Sequence, residues 1–304
     1  MTSTNTERII NPATSMGAVT LRVGDLEAMS TYYSDAFAME PVQDRTVGRE
    51  VHRVLGRGPI PLVRLIHTPD LPTGDRHQAG LFHTAFLFDD QRSLAATVYR
   101  AARSTTGQFV GSSDHLVSEA FYFTDPEGNG VELYTDRPRE HWTHDGNQIR
   151  MTTTHLDPND YLHSHLDQTT VDAGPALAGT VGHVHLQVGD LATARSFYVD
   201  ALGFEVTQTG YPGALFASAG GYHHHIGMNT WNSQGAGPRA ARLGLGSLAV
   251  TVPSRDDIAA LQARLSARSI PFASDSRIVS AHDPWGTHVT VSVAGLTADE
   301  VIAQ

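Results

Sequence analysis

The chain has 304 residues, 40% of them hydrophobic, which is long enough for two ordinary domains with their own cores. A formal net charge of -11 at pH 7 without a basic cluster argues against nucleic acid as a partner, and the absence of cysteine excludes disulfides, thiolate metal sites and a cysteine nucleophile. Neither a membrane-spanning apolar run nor a secretory signal is evident, so we expect a cytoplasmic protein without a membrane partner, in which any transition-metal site uses the 17 histidines and the carboxylates.

The first elements in chain order belong to an internal repeat. Residues 17–43 align without gaps on residues 182–208, and twelve of the 27 positions are identical, which is too many for chance. Each copy starts with alternating residues typical of a strand, continues with an Asp-Leu pair and a helical apolar pattern that ends at a Tyr, and returns to a second strand.

A weaker pair of copies follows. LFHTAFLFDDQRSLAA from Leu81 matches LGSLAVTVPSRDDIAA from Leu245, and DPEGNGVELY from Asp125 matches DPWGTHVTVS from Asp283. In the last pair, the Asp-Pro and Gly residues indicate a hairpin turn between two strands. The sequence therefore predicts four units, each with one strand, one helix and three more strands.

The four units are arranged as two pairs. We predict an N-terminal two-unit domain at residues 1–138 and a C-terminal two-unit domain at residues 181–304. Between them, residues 139–180 are rich in His, Asp, Thr and Gly with weak periodicity, which predicts a long connection.

The repeat indicates which units carry groups that bind metals. At the third residue of their first strands, the four units have, in order, Ala18, His83, His183 and Ser247. In the last strand, the second unit has Glu132 where the fourth has Thr290. Two imidazoles and one carboxylate are the set expected for a non-haem iron(II) site with open positions.

The distribution of these groups also predicts which units pack together. If neighbouring units paired in chain order, one pair would hold only His83 and Glu132, and the other only His183. If the second unit packs on the third, all three side chains converge, and the remaining pair has no metal chemistry. We therefore predict one metal site between the second and third units and one vestigial cavity.

Plainer interpretations of the same residues stay open. A single histidine in a strand is more often a hydrogen-bonded structural residue than a ligand, and this interpretation suits His185 as well. Glu132 could be a solvated strand residue. The coincidence of three ligand-type residues in the same two units favours the metal site.

Three consecutive histidines lie in GYHHHIGMNTW, residues 221–231. The stretch is strand-like, and successive side chains of a strand alternate between faces. His224 would then share a face with Ile226 and Met228, while His223 and His225 point the other way. We expect at least one of the three to face inward.

These motifs resemble a known family. GHVHLQVGDLATARSFYVDALGF together with DPEGNGVELY is similar to the vicinal oxygen chelate superfamily, and SDHLVSEAFYFTDPEGNGVELYTDRPR and GYHHHIGMNTW are most similar to its extradiol dioxygenases of the catechol 2,3-dioxygenase type. The resemblance covers nearly the whole chain. It implies an α+β fold of four βαβββ modules in two paired, curled mixed sheets, with a metal on the concave face.

The resemblance also implies a ligand set, a cofactor and a substrate class. His83, His183 and Glu132 match the metal ligands of the family, which implies Fe(II), with Mn(II) as the alternative ion. The substrate would be a small aromatic diol of the catechol type, and the second substrate would be O2. The product would be a ring-opened semialdehyde.

Three further residues match catalytic groups of the family. His224 matches the histidine beside the oxygen site, which would donate a proton as the ring opens. Tyr122, ten residues before Glu132, matches the family's tyrosine, and His115 matches its remaining histidine, although the spacing from His115 to Tyr122 is two residues shorter than in the family. The unit that carries Glu132 precedes its partner here, whereas classical extradiol enzymes place these modules in sequential order.

Two other functions stay open. A glyoxalase or epimerase of the same superfamily would use Zn or Ni with four protein ligands, and His223 or His225 could supply the fourth. A non-catalytic binding protein, as in bleomycin resistance, would use the cavity without metal ligands. The aromatic residues Trp142, Trp231 and Phe123 fit either a pocket lining or the core, and the sequence leaves a homo-oligomer as an option.

Overall fold

Four copies of one pattern of strands and a helix make up most of the chain. The computed structural model describes residues 9–172 and 179–304. Residues 1–8 of the predicted N-terminal domain and residues 173–178 of the predicted connection lie outside this described part.

A short strand and the first two units come first in the chain. The elements of the first unit and the strand before it are β1 (Ser15–Met16), β2 (Val19–Val23), α1 (Leu26–Phe37), β3 (Glu40–Val47), β4 (Glu50–Arg57) and β5 (Ile60–His67). Those of the second unit are β6 (Gly80–Phe88), α2 (Gln91–Ala101), β7 (Gln108–Asp114), β8 (Ser118–Thr124) and β9 (Gly130–Asp136). The predicted connection contains short elements of its own, namely a 3₁₀ turn (Arg139–His141), β10 (His144–Asp145), β11 (Gln148–Ile149), β12 (Thr154–His155), α3 (Pro158–His165) and α4 (Gln168–Asp172).

The second half repeats the pattern. The third unit comprises β13 (Thr180–Gln187), α5 (Leu191–Arg195) with a π-helical continuation (Ser196–Ala201), β14 (Glu205–Gln208), β15 (Ala214–Ser218) and β16 (Ile226–Asn229). The fourth comprises β17 (Gly244–Val252), α6 (Arg255–Ala267), β18 (Phe272–Ser274), β19 (Ile278–His282) and β20 (His288–Val293), and α7 (Ala298–Ile302) follows it. The predicted α+β fold class, with four βαβββ modules in two mixed sheets, is confirmed.

Each unit starts its helix with the same kind of N-cap. The side chains of Asp25, Asp90 and Asp190 each accept a hydrogen bond from a backbone N–H three residues later. In the fourth unit Ser254 forms a capping box with Asp257. Since such caps satisfy N–H groups that the helix itself leaves unpaired, the capping residue, two or three positions after the first strand, fixes where each helix begins.

The strands within the described residues form two nine-stranded mixed sheets and one two-stranded hairpin. In the first sheet, which we call the site sheet, the second unit is joined to the third, and the strand order is β12-β7-β8-β9-β6-β13-β16-β15-β14. In the other, the partner sheet, the first unit is joined to the fourth in the order β18-β19-β20-β17-β2-β5-β4-β3, and β1 pairs with β17. Each sheet therefore takes one unit from each half of the chain, and the division of the chain at residues 139–180 stays a prediction.

Two buried hydrogen bonds connect the sheets. The hydroxyl of Tyr33, in the first unit, donates to Asp125 in the second at 3.2 Å, and the hydroxyl of Tyr198, in the third, donates to Asp283 in the fourth at 2.9 Å. One hydrophobic cluster draws on all four units, with fully buried residues that include the Tyr33 and Tyr198 rings. The core therefore runs between the two sheets.

The C-terminal helix covers the partner sheet. Ile302 and Ala298 of α7 pack against Val54 of β4, and Arg64 of β5 donates to the carbonyl of Val301 at 2.9 Å. None of the described helices is long and apolar enough to span a bilayer.

Candidate metal centre and cavity

Three side chains meet around one small residue at the middle of the site sheet. On β6, His83 and Ala85 are two residues apart and therefore share a face. Ala85 is paired with Glu132 across parallel β9 and with His183 across antiparallel β13. Directly paired residues project to the same face, so the strand pairing brings His83, Glu132 and His183 together around the methyl group of Ala85.

An irregularity in the strand pairing aligns His183. The pairing of β13 with β6 shifts between Val181 and His183, at Gly182. A Cβ on Gly182 would overlap the hydroxyl of Tyr134. Because glycine has no Cβ, it permits this close approach beside the site.

The donor atoms of the three side chains lie close together. Glu132 Oε2 is 2.9 Å from His83 Nε2 and 3.2 Å from His183 Nε2. The contact to His183 has hydrogen-bond geometry. His83 Nε2, by contrast, is buried and has no hydrogen-bond partner among the described residues, although the carboxylate is near. A buried polar atom without a partner is unfavourable unless something else binds it.

These separations fit one shared ion. Two donors that each lie about 2.1 Å from an ion, at a right angle, are about 3 Å apart. Within the described residues, His83, Glu132 and His183 are the group of buried His and acidic residues whose donor atoms all lie within 4.8 Å of one another. Two imidazoles and a carboxylate also leave positions for further ligands, so the residues present fit a divalent metal.

The site's electrostatics favour the metal-binding forms of these groups. Burial lowers the pKa of His183 to about 4 and outweighs the opposing effect of Glu132. Burial acts to raise the pKa of Glu132, but attraction to His183 and His83 prevails and holds that pKa well below its ordinary value. At neutral pH Glu132 is thus ionised and His183 is neutral, which are the protonation states that metal ligation requires.

A cavity of about 880 Å³ opens onto this cluster. His83 and Glu132 line it, together with the three residues predicted to be catalytic, His115, Tyr122 and His224. The volume lies in the range usual for small-molecule sites.

His115 and Tyr122 are joined to each other. His115 Nδ1 is 2.7 Å from the carbonyl oxygen of Thr152, and His115 Nε2 is 2.7 Å from the Tyr122 hydroxyl. A carbonyl only accepts, so in the neutral ring Nδ1 carries the proton and Nε2 accepts from Tyr122. Burial, followed by the charge of Glu132, raises the pKa of Tyr122 well above its usual value, so this residue is a phenol that donates.

The triple histidine does not lie in a strand. The prediction of a strand here is wrong, because β16 begins only at Ile226. Gly220 and Gly221, with φ of 61° and 66°, turn the chain after β15, and this left-handed conformation favours glycine. The expectation of an inward-facing histidine holds for His223, which has no exposed surface.

The three histidines have different surroundings. The His224 ring lines the cavity, with its centroid 4.1 Å from that of His183. His223 Nε2 lies 2.9 Å from Asp136 Oδ1, and its Nδ1 lies 2.7 Å from His224 Nδ1. His225 Nδ1 is 2.8 Å from the Ser218 hydroxyl.

Two features of the site were not predicted: the position of His185 at the cavity and the contact of Asp136 with His223. His185 lines the cavity with its ring centroid 5.0 Å from that of His83, to which it is paired across the strands. The alternation of His183 and His185 along one strand face was the signal for it. The contact between Asp136 and His223 had no signal in the sequence, because the two residues are 87 positions apart.

The three aromatic residues have different positions. Trp231 lines the cavity and is 48% exposed, whereas the Phe123 ring is buried in the main hydrophobic core beside it. Trp142 instead packs in a small separate cluster with Tyr222.

The partner sheet lacks this chemistry at the corresponding positions. Ala18, Ser247 and Thr290 replace the three candidate ligands. The Thr290 hydroxyl donates to the side chain of Gln304, at the end of the chain, at 3.1 Å.

Comparisons with known proteins agree with this architecture. The family model of the glyoxalase/bleomycin resistance protein/dioxygenase superfamily matches residues 15–133 and 180–290. A catechol-2,3-dioxygenase of Bacillus subtilis (strain 168) is 33% identical over 294 residues, which is 92% of this chain and 98% of that protein.

Solved structures share the fold. A putative dioxygenase from Bacillus subtilis is similar with a TM-score of 0.62 and 12% identity, over 93% of this chain and 86% of that one. Glyoxalase I from Zea mays is similar with a TM-score of 0.57 and 17% identity, over 92% of each chain. From the family match and the Bacillus relative, the chain belongs to the glyoxalase/bleomycin resistance protein/dioxygenase superfamily.

Proposed function

We propose that this protein is an extradiol dioxygenase, which cleaves the ring of a catechol-type substrate with O2 at a mononuclear Fe(II) site between the second and third units. The observation that carries the proposal is the group of two imidazoles and one carboxylate, of which His83 and Glu132 line a cavity. The relative named catechol-2,3-dioxygenase supports the same chemistry. We keep the expectation that the protein acts in the cytoplasm.

His83, His183 and Glu132 would hold the metal, and Mn(II) is the second candidate ion for this donor set. When bound, the iron supplies Lewis acidity toward the catechol oxygens and brings the diol and O2 together. Neutral imidazoles and one carboxylate leave a divalent ion with a net positive charge, which suits an anionic catecholate ligand.

The other residues would bind and orient the substrate. Tyr122 donates a hydrogen bond to His115, so its oxygen, on the cavity wall, would remain an acceptor for a substrate hydroxyl. Trp231, which is 48% exposed, offers apolar surface for the ring. His224, whose ring lies beside that of His183, would exchange a proton with the reacting oxygens and return it as the ring opens.

The histidines that a four-ligand glyoxalase or epimerase would need are otherwise engaged. His223 uses both ring nitrogens, toward Asp136 and His224. His225 Nδ1 contacts Ser218 and the backbone N–H of Ala219. These contacts support three protein ligands with open positions over four protein ligands.

The test is anaerobic reconstitution of the protein with Fe(II), followed by a panel of catechols and air. We expect uptake of one O2 per catechol and growth of the yellow absorbance of a ring-fission product. Zn(II)-loaded protein is the control for the metal, and it should consume no oxygen.

Two outcomes would contradict the proposal. One is an Fe(II)-loaded protein that consumes no oxygen with any catechol. The other is a Zn(II)- or Ni(II)-loaded protein that converts a glyoxalase substrate without oxygen. Metal analysis of the protein as purified would decide between Fe and Mn.

A further inference from the structure

A chain of hydrogen bonds runs from the cavity to a partly exposed carboxylate. His224 lines the cavity, and its Nδ1 is 2.7 Å from His223 Nδ1. His223 Nε2 is 2.9 Å from Asp136 Oδ1. The His223 side chain has no exposed surface, whereas 23% of the Asp136 side chain is exposed.

The order of these atoms restricts where the protons lie. An ionised carboxylate only accepts hydrogen bonds, so His223 Nε2 must carry a proton. A neutral imidazole has one N–H, so His223 Nδ1 is then an acceptor. The contact between the two Nδ1 atoms is a hydrogen bond only if His224 Nδ1 donates, which leaves Nε2 of a neutral His224 without a proton.

Aromatic side chains surround His223. Tyr134, Tyr222 and Trp142 pack around His223, with ring centroids 6.0, 4.1 and 5.4 Å away.

Other polar groups also face the chain of bonds. The Tyr222 hydroxyl lies 2.7 Å from the Tyr134 hydroxyl, and both of these phenols are buried. Arg139 lies over the rings of Trp142 and Tyr222. The Tyr222 phenol also faces Asp136, and burial together with that charge raises the pKa of Tyr222 well above its usual value. The carboxylate of Asp136 is therefore the acceptor at the end of the chain.

We propose that Asp136 and His223 are positioning residues, which fix His224 in the tautomer with the proton on Nδ1 and a bare Nε2 toward the cavity. The tautomer is a property of the protein alone. Its role, to accept a hydrogen bond from a substrate hydroxyl, rests on the proposed function. On this basis His224 starts as an acceptor, and any proton that it donates later is one that it has first received from the substrate.

The decisive measurement is the tautomer of His224 in the Zn(II)-loaded protein, which is diamagnetic. Long-range ¹H–¹⁵N correlation spectra of histidine-labelled protein distinguish a protonated from a bare ring nitrogen, and the spectrum of His224→Asn assigns the signals. We expect a bare Nε2 and a protonated Nδ1. A protonated Nε2 on His224 would overturn the proposal, and this result would not depend on whether the protein is a dioxygenase.

Variants then test the two positioning residues. Asp136→Leu removes the terminal acceptor, so we expect a mixture of His224 tautomers and a kcat lower by about 10- to 100-fold, as for other residues behind a metal ligand or catalytic group. Metal content and KM should change little. In Asp136→Asn the amide oxygen can still accept from His223, so this variant should keep most of the activity and the original tautomer.

An exposed acid provides the matched control. Asp35→Leu removes the same charge from the exposed face of α1 and should leave the His224 spectrum and kcat unchanged. If Asp136→Leu also leaves the tautomer of His224 unchanged, Asp136 has no positioning role. If Asp136→Leu and Asp136→Asn lose kcat equally with an unchanged spectrum, the effect is structural and the proposal fails.

Discussion

The site sheet and the partner sheet have the same topology but different chemistry. In both, two units are joined by their first strands, β6 with β13 in one and β2 with β17 in the other. The site sheet has a histidine or glutamate at each of the three candidate ligand positions, and the partner sheet has Ala18, Ser247 and Thr290 there.

The faces of the two sheets are also used differently. The site sheet leaves its face open as a cavity, while α7 lies against the partner sheet and Gln304 reaches Thr290. The two sheets therefore provide equivalent backbone positions. The side chains at these positions determine which sheet carries the candidate metal site. This agrees with the general separation of fold and function.

The largest expected effect comes from removing the carboxylate. Glu132→Gln should lower metal affinity by more than about 100-fold, since even residues behind the ligands change it by about 10- to 100-fold. Metal analysis after dialysis and the rise in Tm on adding Fe(II) would measure the loss, because an ion that binds only the folded state raises stability.

The control is the corresponding residue of the other sheet. Thr290→Ala should leave metal content unchanged and lose only the contact to Gln304. Equal metal loss in both variants would remove the distinction between the sheets.

The second prediction concerns chemistry without metal loss. His224→Phe should retain iron but lose turnover by about 100-fold or more, which is the usual range for a group that moves protons. Iron content and oxygen uptake, measured on the same sample, separate the two effects. Unchanged turnover would refute the assigned role of His224.

The sequence was sufficient to predict the four units and the candidate ligands, but not the contacts between residues that are far apart in the chain. The repeat predicted every βαβββ module, because strand alternation and helix caps are local signals. Comparison of the copies identified His83, His183 and Glu132 as candidate ligands, and their donor atoms lie within 4.8 Å of one another in the structure.

What the sequence could not give depends on distant contacts. The turn at Gly220 and Gly221 interrupts a strand-like pattern, and only the position of β16 reveals it. The contact between Asp136 and His223 and the packing of α7 join residues far apart in the chain. Periodicity carries no information about such pairs.

The third prediction concerns the helix on the partner sheet. Ile302→Ala removes a side chain that is only 3% exposed, so it should lower the free energy of unfolding by about 2–4 kcal/mol without changing metal affinity. Urea unfolding and metal titration would measure both.

Val47→Ala is the matched control, because Val47 is on β3 of the partner sheet but 42% exposed, and its substitution should change stability by less than about 0.5 kcal/mol. Loss of metal affinity in Ile302→Ala comparable to that in Glu132→Gln would mean that the two sheets are not independent.

The smallest expected effect concerns a bond between the sheets. Burial raises the pKa of Asp125 to about 6, although the backbone N–H groups of Asn129 and Glu127 and the hydroxyl of Tyr33 donate hydrogen bonds to its carboxylate. The folded protein thus keeps this proton up to about pH 6, while the unfolded chain releases it near pH 4, so the unfolding free energy falls as pH rises between these values.

Asp125→Asn removes this titration. The stability of the wild type relative to the variant should therefore fall by at most about 3 kcal/mol from pH 4 to pH 7. Urea unfolding of both proteins across this range isolates the effect, since other groups titrate equally in each. A difference that does not vary with pH would contradict the assignment.

The exchanged order of the units has a mechanical consequence. The two halves of the chain can separate only if the hydrogen bonds between β6 and β13 and those between β2 and β17 all break. Separation of the two sheets also breaks the Tyr33–Asp125 and Tyr198–Asp283 hydrogen bonds. Because each sheet contains one unit from each half of the chain, the two halves cannot unfold independently. The molecule should therefore unfold in a single calorimetric transition although it contains four similar units.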